Sequence, residues 1–201
     1  MTADPVTEPM PRDPIDLLIA LEEAAGYPIR PEYIEGTVII PPQPDDNHNS
    51  GAVKLVVQLH MAGWTLAGMG NGYTTQSELP HGQALVIPDF YVQHREPTDL
   101  DEAFRKTHKG WYPINLLALV GEITSSNRET DIEPKYRTYA TAAVPVYVIV
   151  DRRDGMVHVH SEPDPDTRRY RIHSSAPLGG KLPLPAPYPV LDTAPLVRAG
   201  G

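Results

Sequence analysis

The chain contains no cysteine, which excludes disulfides, thiolate metal ligands and a cysteine nucleophile and fits a reducing cytosol. Positive charge is scarce: 17 Lys and Arg stand against 26 Asp and Glu, a formal net charge of -9. The overall basic footprint of a protein that holds nucleic acid by charge alone is therefore missing. No apolar stretch approaches the roughly 18 residues that a membrane span needs. The start, Met1-Thr2-Ala3-Asp4-Pro5, lacks the basic and then apolar order of a signal peptide. A soluble, cytoplasmic protein with no membrane partner is the expectation.

What is present suits one domain. The 201 residues can bury a real core but leave little room for two. Residues 1–12 read as a flexible, proline-rich tail, 13–194 as a single domain and 195–201 as a C-terminal tail. The spacing predicts an amphipathic helix from Asp13 to Ala25, closed by Gly26. Glu32 to Ile40 reads as a hairpin turning at Glu35-Gly36. A second helix runs from Ser50 to Ala62, with Val53, Val56, Val57 and Leu59 on its apolar side and Gly63 at its end. Gly68-Met69-Gly70-Asn71-Gly72 is glycine-rich, but no Lys-Ser/Thr follows, so a strand-to-strand turn at Asn71-Gly72 is preferred over a phosphate cradle.

Further on, Leu85 to Phe90 reads as a strand, Leu100 to Lys106 as a short helix and Leu116 to Thr124 as a strand. Asp131 can cap a helix running to Ala143, with Pro134 in its first turn. Val144 to Val150 is a β-branched buried strand, and strand, helix, strand in that order suggests a crossover unit. Met156 to Ser161 and Tyr170 to Ser174 follow as antiparallel strands, and Leu182 to Pro189 as an extended wrap.

Two of the apolar strands carry carboxylates, Asp89 and Glu122, and an unpaired buried carboxylate costs several kcal/mol. A shared divalent cation would partner both, and hard carboxylate oxygens suit Mg²⁺, with Mn²⁺ as a substitute. Glu122 and Thr124 point to one face of their strand. Asp131, Lys135 and Tyr139 recur every four residues and share a helix face. If the two faces meet around Asp89, Lys135 can position or activate a water, or balance phosphate charge, and Tyr139 can orient it. Each residue also has a structural reading. Asp89 can cap a turn, Glu122 can sit in an ion pair, Asp131 and Lys135 can form a solvated i,i+4 bridge, and Tyr139 can be core. His158 and His160 share a strand face without a third ligand, which favours surface histidines.

Ile87-Pro88-Asp89, Val120-Gly121-Glu122-Ile123-Thr124-Ser125, Asp131 through Lys135 and Tyr139, and Val144 to Asp151 together resemble the Uma-type restriction endonuclease family of the PD-(D/E)XK nuclease superfamily. The resemblance runs from the Glu32 hairpin through His48, at the opening of the next helix, to Leu191-Asp192. It implies an α/β, restriction-endonuclease-like core: a central mixed β-sheet flanked by helices, with antiparallel N- and C-terminal strands. It also implies a Mg²⁺-type site at Asp89 and Glu122 and hydrolysis of phosphodiester bonds in DNA. The superfamily's simple pattern has a lysine two residues after the glutamate, where Thr124 stands here; the family is similar in moving it to the next helix, which maps to Lys135. Ser126 and Val146 depart from residues common in the family.

The leading expectation is a Mg²⁺-dependent endodeoxyribonuclease with Asp89, Glu122 and Lys135 as catalytic residues. Glu32, His48, Thr124, Asp131 and Tyr139 are supporting candidates. DNA would be met by a local basic face, drawn from Lys106, Lys109, Arg128, Lys135 and Arg137, or by a homodimer groove. The rivals are a non-catalytic binding module on the same scaffold and a hydrolase of small phosphoesters.

Overall fold

The computed structural model describes residues 13–75, 82–124 and 128–197. The proposed N-terminal tail, Ser125, Ser126 and the last four residues lie outside them. The Asp13 side chain accepts the Ile15 N–H at 2.8 Å and opens α1 (Pro14–Ala24), with Pro14 where its missing N–H costs little. Strands β1 (Glu32–Ile34) and β2 (Thr37–Ile39) pair antiparallel across a turn in which Glu35 and Gly36 both have positive φ, 50° and 80°. That is the geometry a two-residue hairpin requires.

Asp45 caps α2 (Asp46–Met61) by accepting the His48 N–H. Short strands β3 (Ala67–Gly68), β4 (Tyr73–Thr74), β5 (Leu85–Val86) and β6 (Phe90–Gln93) come next. A capping box at Thr98 and Asp101 starts α3 (Asp99–Thr107), which is followed by β7 (Tyr112–Pro113) and β8 (Leu117–Ile123). The helical segment α4 (residues 128–141) then leads to β9 (Val146–Asp151), β10 (Met156–Asp164), β11 (Arg169–Pro177), β12 (Lys181–Pro183) and β13 (Val190–Asp192).

A six-stranded mixed sheet ordered β11-β10-β9-β8-β6-β3 forms the centre, with β8 and β9 parallel and joined by α4. One face packs on α2 through Ala52, Leu55 and Leu59 against Phe90, Leu119, Ile123 and Val148, and β12–β13 close over the same side. The other face packs on α4 and on a five-stranded sheet, β2-β1-β5-β4-β7, through Tyr139, Val120, Tyr147, Ile34 and Val86. Strand alternation divides β8 between these layers, so Ile123 serves the α2 side and Glu122 is directed to the α4 side. Gly121 faces its cross-strand partner Phe90, whose ring would lie 2.0 Å from any added Cβ. Only glycine leaves the ring that space.

Several expectations are corrected. Leu85 to Phe90 is not one strand: Ile87-Pro88-Asp89 forms a bend that hands the chain from the smaller sheet to the central one, because proline cannot donate to a ladder. Asn71-Gly72 likewise connects two sheets. α2 begins four residues before Ser50, and its buried side is Ala52, Leu55 and Leu59, leaving Val53 and Val57 46% and 48% exposed. α4 is already helical at Arg128, so Asp131 is a buried side chain inside it and not its cap. Pro134 falls inside the segment, where Asp131–Lys135 widen into a π turn. The wider turn accommodates a residue with no N–H to give. Pro195 and Leu196, at the start of the proposed C-terminal tail, form a 3₁₀ turn against α2, where Lys54 donates to the Pro195 carbonyl.

Candidate active site

Five elements converge on one cavity of about 140 Å³. β1 delivers Glu32, the start of α2 His48, the 87–89 bend Asp89, β8 Glu122, and α4 Asp131 and Lys135. Lys135 Nζ lies 3.0 Å from Glu32 Oε2, 3.1 Å from Glu122 Oε1 and 3.8 Å from Asp131 Oδ1. Tyr139, one turn further along α4, donates its hydroxyl to Glu122 Oε1 at 2.9 Å. Asp89 Oδ2 accepts the Ile123 N–H at 2.7 Å and stands 2.9 Å from His48 Nε2. Glu32 Oε1 accepts the Ile87 N–H at 2.6 Å. The Tyr147 hydroxyl donates to the Asp131 carbonyl and pins the π turn that presents Asp131 and Lys135.

The charges do not balance. Four carboxylates face one lysine and one histidine, and all but Asp89 are almost fully enclosed. Burial, reinforced by repulsion from Asp89, Asp131 and Glu32, pushes the Glu122 carboxyl well above its ordinary range despite Lys135. Burial raises Glu32 and pushes Asp131 up to about 7. Burial alone would depress Lys135, but Glu122, Glu32 and Asp131 hold it well above its ordinary value and keep it a cation. Asp89 raises His48 against the effect of burial.

An excess of hard oxygen donors is what Mg²⁺ or Mn²⁺ requires. Glu32 Oε2 is buried 3.0 Å from Lys135 with no donor aligned on it for a hydrogen bond. Among the described residues, no three His, Cys, Asp or Glu already surround one point as a metal cage. The fit therefore rests on donor chemistry and uncompensated charge.

Of the residues singled out from sequence, Glu32, His48, Asp89, Glu122, Asp131 and Lys135 line the cavity, and Tyr139 backs it through Glu122. The Asp131–Lys135 pair is buried, not a solvated bridge. Thr124 does not line the cavity; its hydroxyl accepts the Arg152 N–H and braces the ends of β8 and β9. The expected basic face is largely neutralised. Arg128 binds Asp151 and Asp154, Arg137 binds Glu35, Lys109 pairs with Asp16 and Lys135 is enclosed, leaving Lys106 on an exposed helix end. Sequence reasoning missed Arg30 and the wall Pro41-Pro42-Gln43-Pro44. It also missed the backbone donors of Ile87 and Ile123, which no side-chain pattern announces.

A mixed central sheet between helices, with carboxylates and a lysine gathered at the bend of one strand and the end of the next, defines a nuclease-like α/β fold. The same fold occurs in the crystal structure of a "putative nuclease belonging to DUF820" from Anabaena variabilis ATCC 29413, with a TM-score of 0.56 and 18% identity over 83% of this chain and 88% of that one. The Uma2 family model, described as "Putative restriction endonuclease", matches residues 18–194. The chain belongs to that family. No curated protein matches it. Among the described residues no helix is long and apolar enough to cross a membrane.

Proposed function

We propose that this protein is a metal-dependent nuclease that hydrolyses phosphodiester bonds in DNA, in the manner of the PD-(D/E)XK superfamily, and that it works in the cytoplasm. The observation that carries this reading is the cavity's surplus of carboxylate over cation, with the Glu122 and Asp131 carboxyls raised by burial. A structural ion pair would be matched; a centre that receives a divalent ion is left short of positive charge.

Asp89 and Glu122 would hold the ion. When bound, Mg²⁺ or Mn²⁺ would lower the pKa of a water and neutralise charge on the phosphate oxygens. Lys135 is held protonated, so it acts as a cation beside the reacting phosphate and not as a general base. Tyr139 fixes the Glu122 carboxylate, and the Ile123 N–H with His48 fixes Asp89. Glu32 and Asp131 keep Lys135 in place and charged.

The test is cleavage of plasmid and single-stranded DNA with Mg²⁺ or Mn²⁺. Wild type should cut, and Asp89→Ala and Glu122→Ala should each lose at least ~100-fold in rate, the order expected when electrostatic support of the reaction is removed. Absence of metal-dependent cleavage by wild type, together with absence of metal binding, would leave a non-catalytic scaffold.

A further inference from the structure

His158 and His160 share one face of β10, and β11 adds a third imidazole to that face. His160 stands opposite His173 in the ladder, and His158, opposite Ser175, is one diagonal step away. The rings form one stack: the centroids of His160 and His173 are 4.6 Å apart at 15°, and those of His158 and His173 5.3 Å apart at 26°. Tyr136 of α4 meets His160 edge-on at 4.9 Å and fixes the inner end of the stack. The outer end is open, because His173 is exposed. None of the three lines the carboxylate cavity.

His158 Nδ1 and His173 Nε2 lie 3.1 Å apart, one donating to the other in the metal-free protein. The same spacing suits two ligands of one ion: at a metal–nitrogen distance of ~2.1 Å, neighbouring ligands are ~2.9 Å apart at a right angle and ~3.4 Å apart in a tetrahedron. The surroundings leave the ring lone pairs available. Among the described residues the histidine held in an ion pair is His48, not one of these three. The Asp151 and Asp154 carboxylates that act on His158 from a distance are already bound by Arg128. Burial lowers His158 below its ordinary value and pushes His160 down to about 4, so both rings are neutral at pH 7. Neutral imidazoles suit borderline transition ions, unlike the hard carboxylates of the cavity. Among the described residues no third His, Cys, Asp or Glu closes a cage here, so water would complete the shell.

We propose that His158 and His173 chelate one divalent transition ion of the Cu²⁺, Ni²⁺ or Zn²⁺ class, that His160 is a positioning residue stacked against His173, and that the bound ion clamps β10 to β11. β11 also carries Tyr170, which packs on Tyr136 and Tyr147, so the clamp braces the aromatic layer behind α4. The site does not depend on the nuclease reading of the cavity.

The test adds one equivalent of Cu²⁺ to the whole chain at pH 7.5 and counts the imidazole nitrogens coupled to the ion by pulsed EPR. Wild type should show two, and His158→Gln and His173→Gln one or none, with the Cu²⁺ dissociation constant raised at least about tenfold. His160→Phe, which keeps a ring in the stack and removes its nitrogens, should retain both couplings. Zn²⁺ should raise the Tm of wild type by more than that of the double variant His158→Gln/His173→Gln. Two couplings that survive His173→Gln, or that are lost in His48→Gln, place the ion in the carboxylate cavity and overturn the inference. A wild type with no imidazole pair on Cu²⁺, or a Zn²⁺ shift equal in the double variant, reduces the 3.1 Å contact to a hydrogen bond and overturns it as well. Loss of a coupling in His160→Phe overturns the positioning role.

Discussion

Glu32 and Glu35 sit three residues apart on one hairpin, their cationic partners Lys135 and Arg137 two apart on α4, yet their electrostatic circumstances are opposite. Glu35, at the turn, is gripped by Arg137 at 2.8 Å and by Arg168, and hydrogen bonding from Arg137 brings its carboxyl down to about 2. Glu32, at the buried end of the strand, shares one lysine with Glu122 and Asp131, and burial pushes its carboxyl up. With Glu133 3.5 Å from Arg137, the first cluster sets two guanidinium groups against two carboxylates and stabilises a surface junction. The second has too little cation, and no arrangement of its own residues corrects that. An ion pair made for stability lowers its carboxylates, whereas a site made for a visiting cation raises them.

The sharpest way to break this contrast is to remove the lysine. Lys135→Met leaves the enclosed carboxylates without their cation and should lose about 3–5 kcal/mol at neutral pH, measured by urea unfolding. Much of that loss should return at pH 5, below the value of about 7 to which burial raises Asp131. A variant as stable as wild type at pH 7.5 would mean that the network is not under electrostatic load.

The pH dependence of the metal-free protein follows from the same shifts. Asp131 is held at about 7 in the folded chain against an ordinary 3.8. Between those values the folded state binds the extra proton, so stability falls as pH rises through the window. Mg²⁺ or Mn²⁺ competes with those protons and should raise Tm more at pH 8 than at pH 6. Glu35 acts in the other direction: its contribution is present above about 4.5 and is lost as pH falls towards 2. A metal-induced Tm shift that is flat with pH would count against the carboxylates as its ligands.

A smaller effect separates the two clusters by substitution. Asp131→Asn removes one surplus charge while Lys135 keeps Glu32 and Glu122, so it should stabilise the metal-free protein by about 1 kcal/mol at pH 8, by less at pH 5, and by nothing below the ordinary value of 3.8. Smallest of all, Glu35→Gln should cost about 0.5 kcal/mol, and high salt should erase the difference, because that cluster is solvent-screened. Destabilisation by Asp131→Asn at pH 8 would show that the buried site is held together like the surface one.

Part of this was legible in sequence. Gly36 announced the turn, because glycine takes positive φ without steric cost, and Asp131, Lys135 and Tyr139 announced a shared helix face by their spacing. Glu32 and His48 entered through the family resemblance and not through any pattern of their own. The expected side of α2 was right at Val56 and Leu59, which meet the core, but wrong at Val53 and Val57, which outweigh Ala52 in hydrophobicity although the sheet accepts the smaller surface beside Gly51. Pro134 looked like a first-turn proline because a π turn has no sequence signature of its own. Arg30 and the proline wall carry no periodicity, and the backbone donors to Asp89 and Glu32 depend on strand ends meeting across the sheet.

The most direct measurement is a calorimetric titration of Mn²⁺ into the metal-free protein at pH 7.5, in two buffers of different ionisation enthalpy, for wild type, Asp89→Ala and Glu122→Ala. Wild type should bind saturably, with net proton release to the buffer as the raised carboxyls give up their protons, and both variants should lose that binding. Mn²⁺ binding that survives both substitutions, or no binding by wild type, would contradict the proposed metal site.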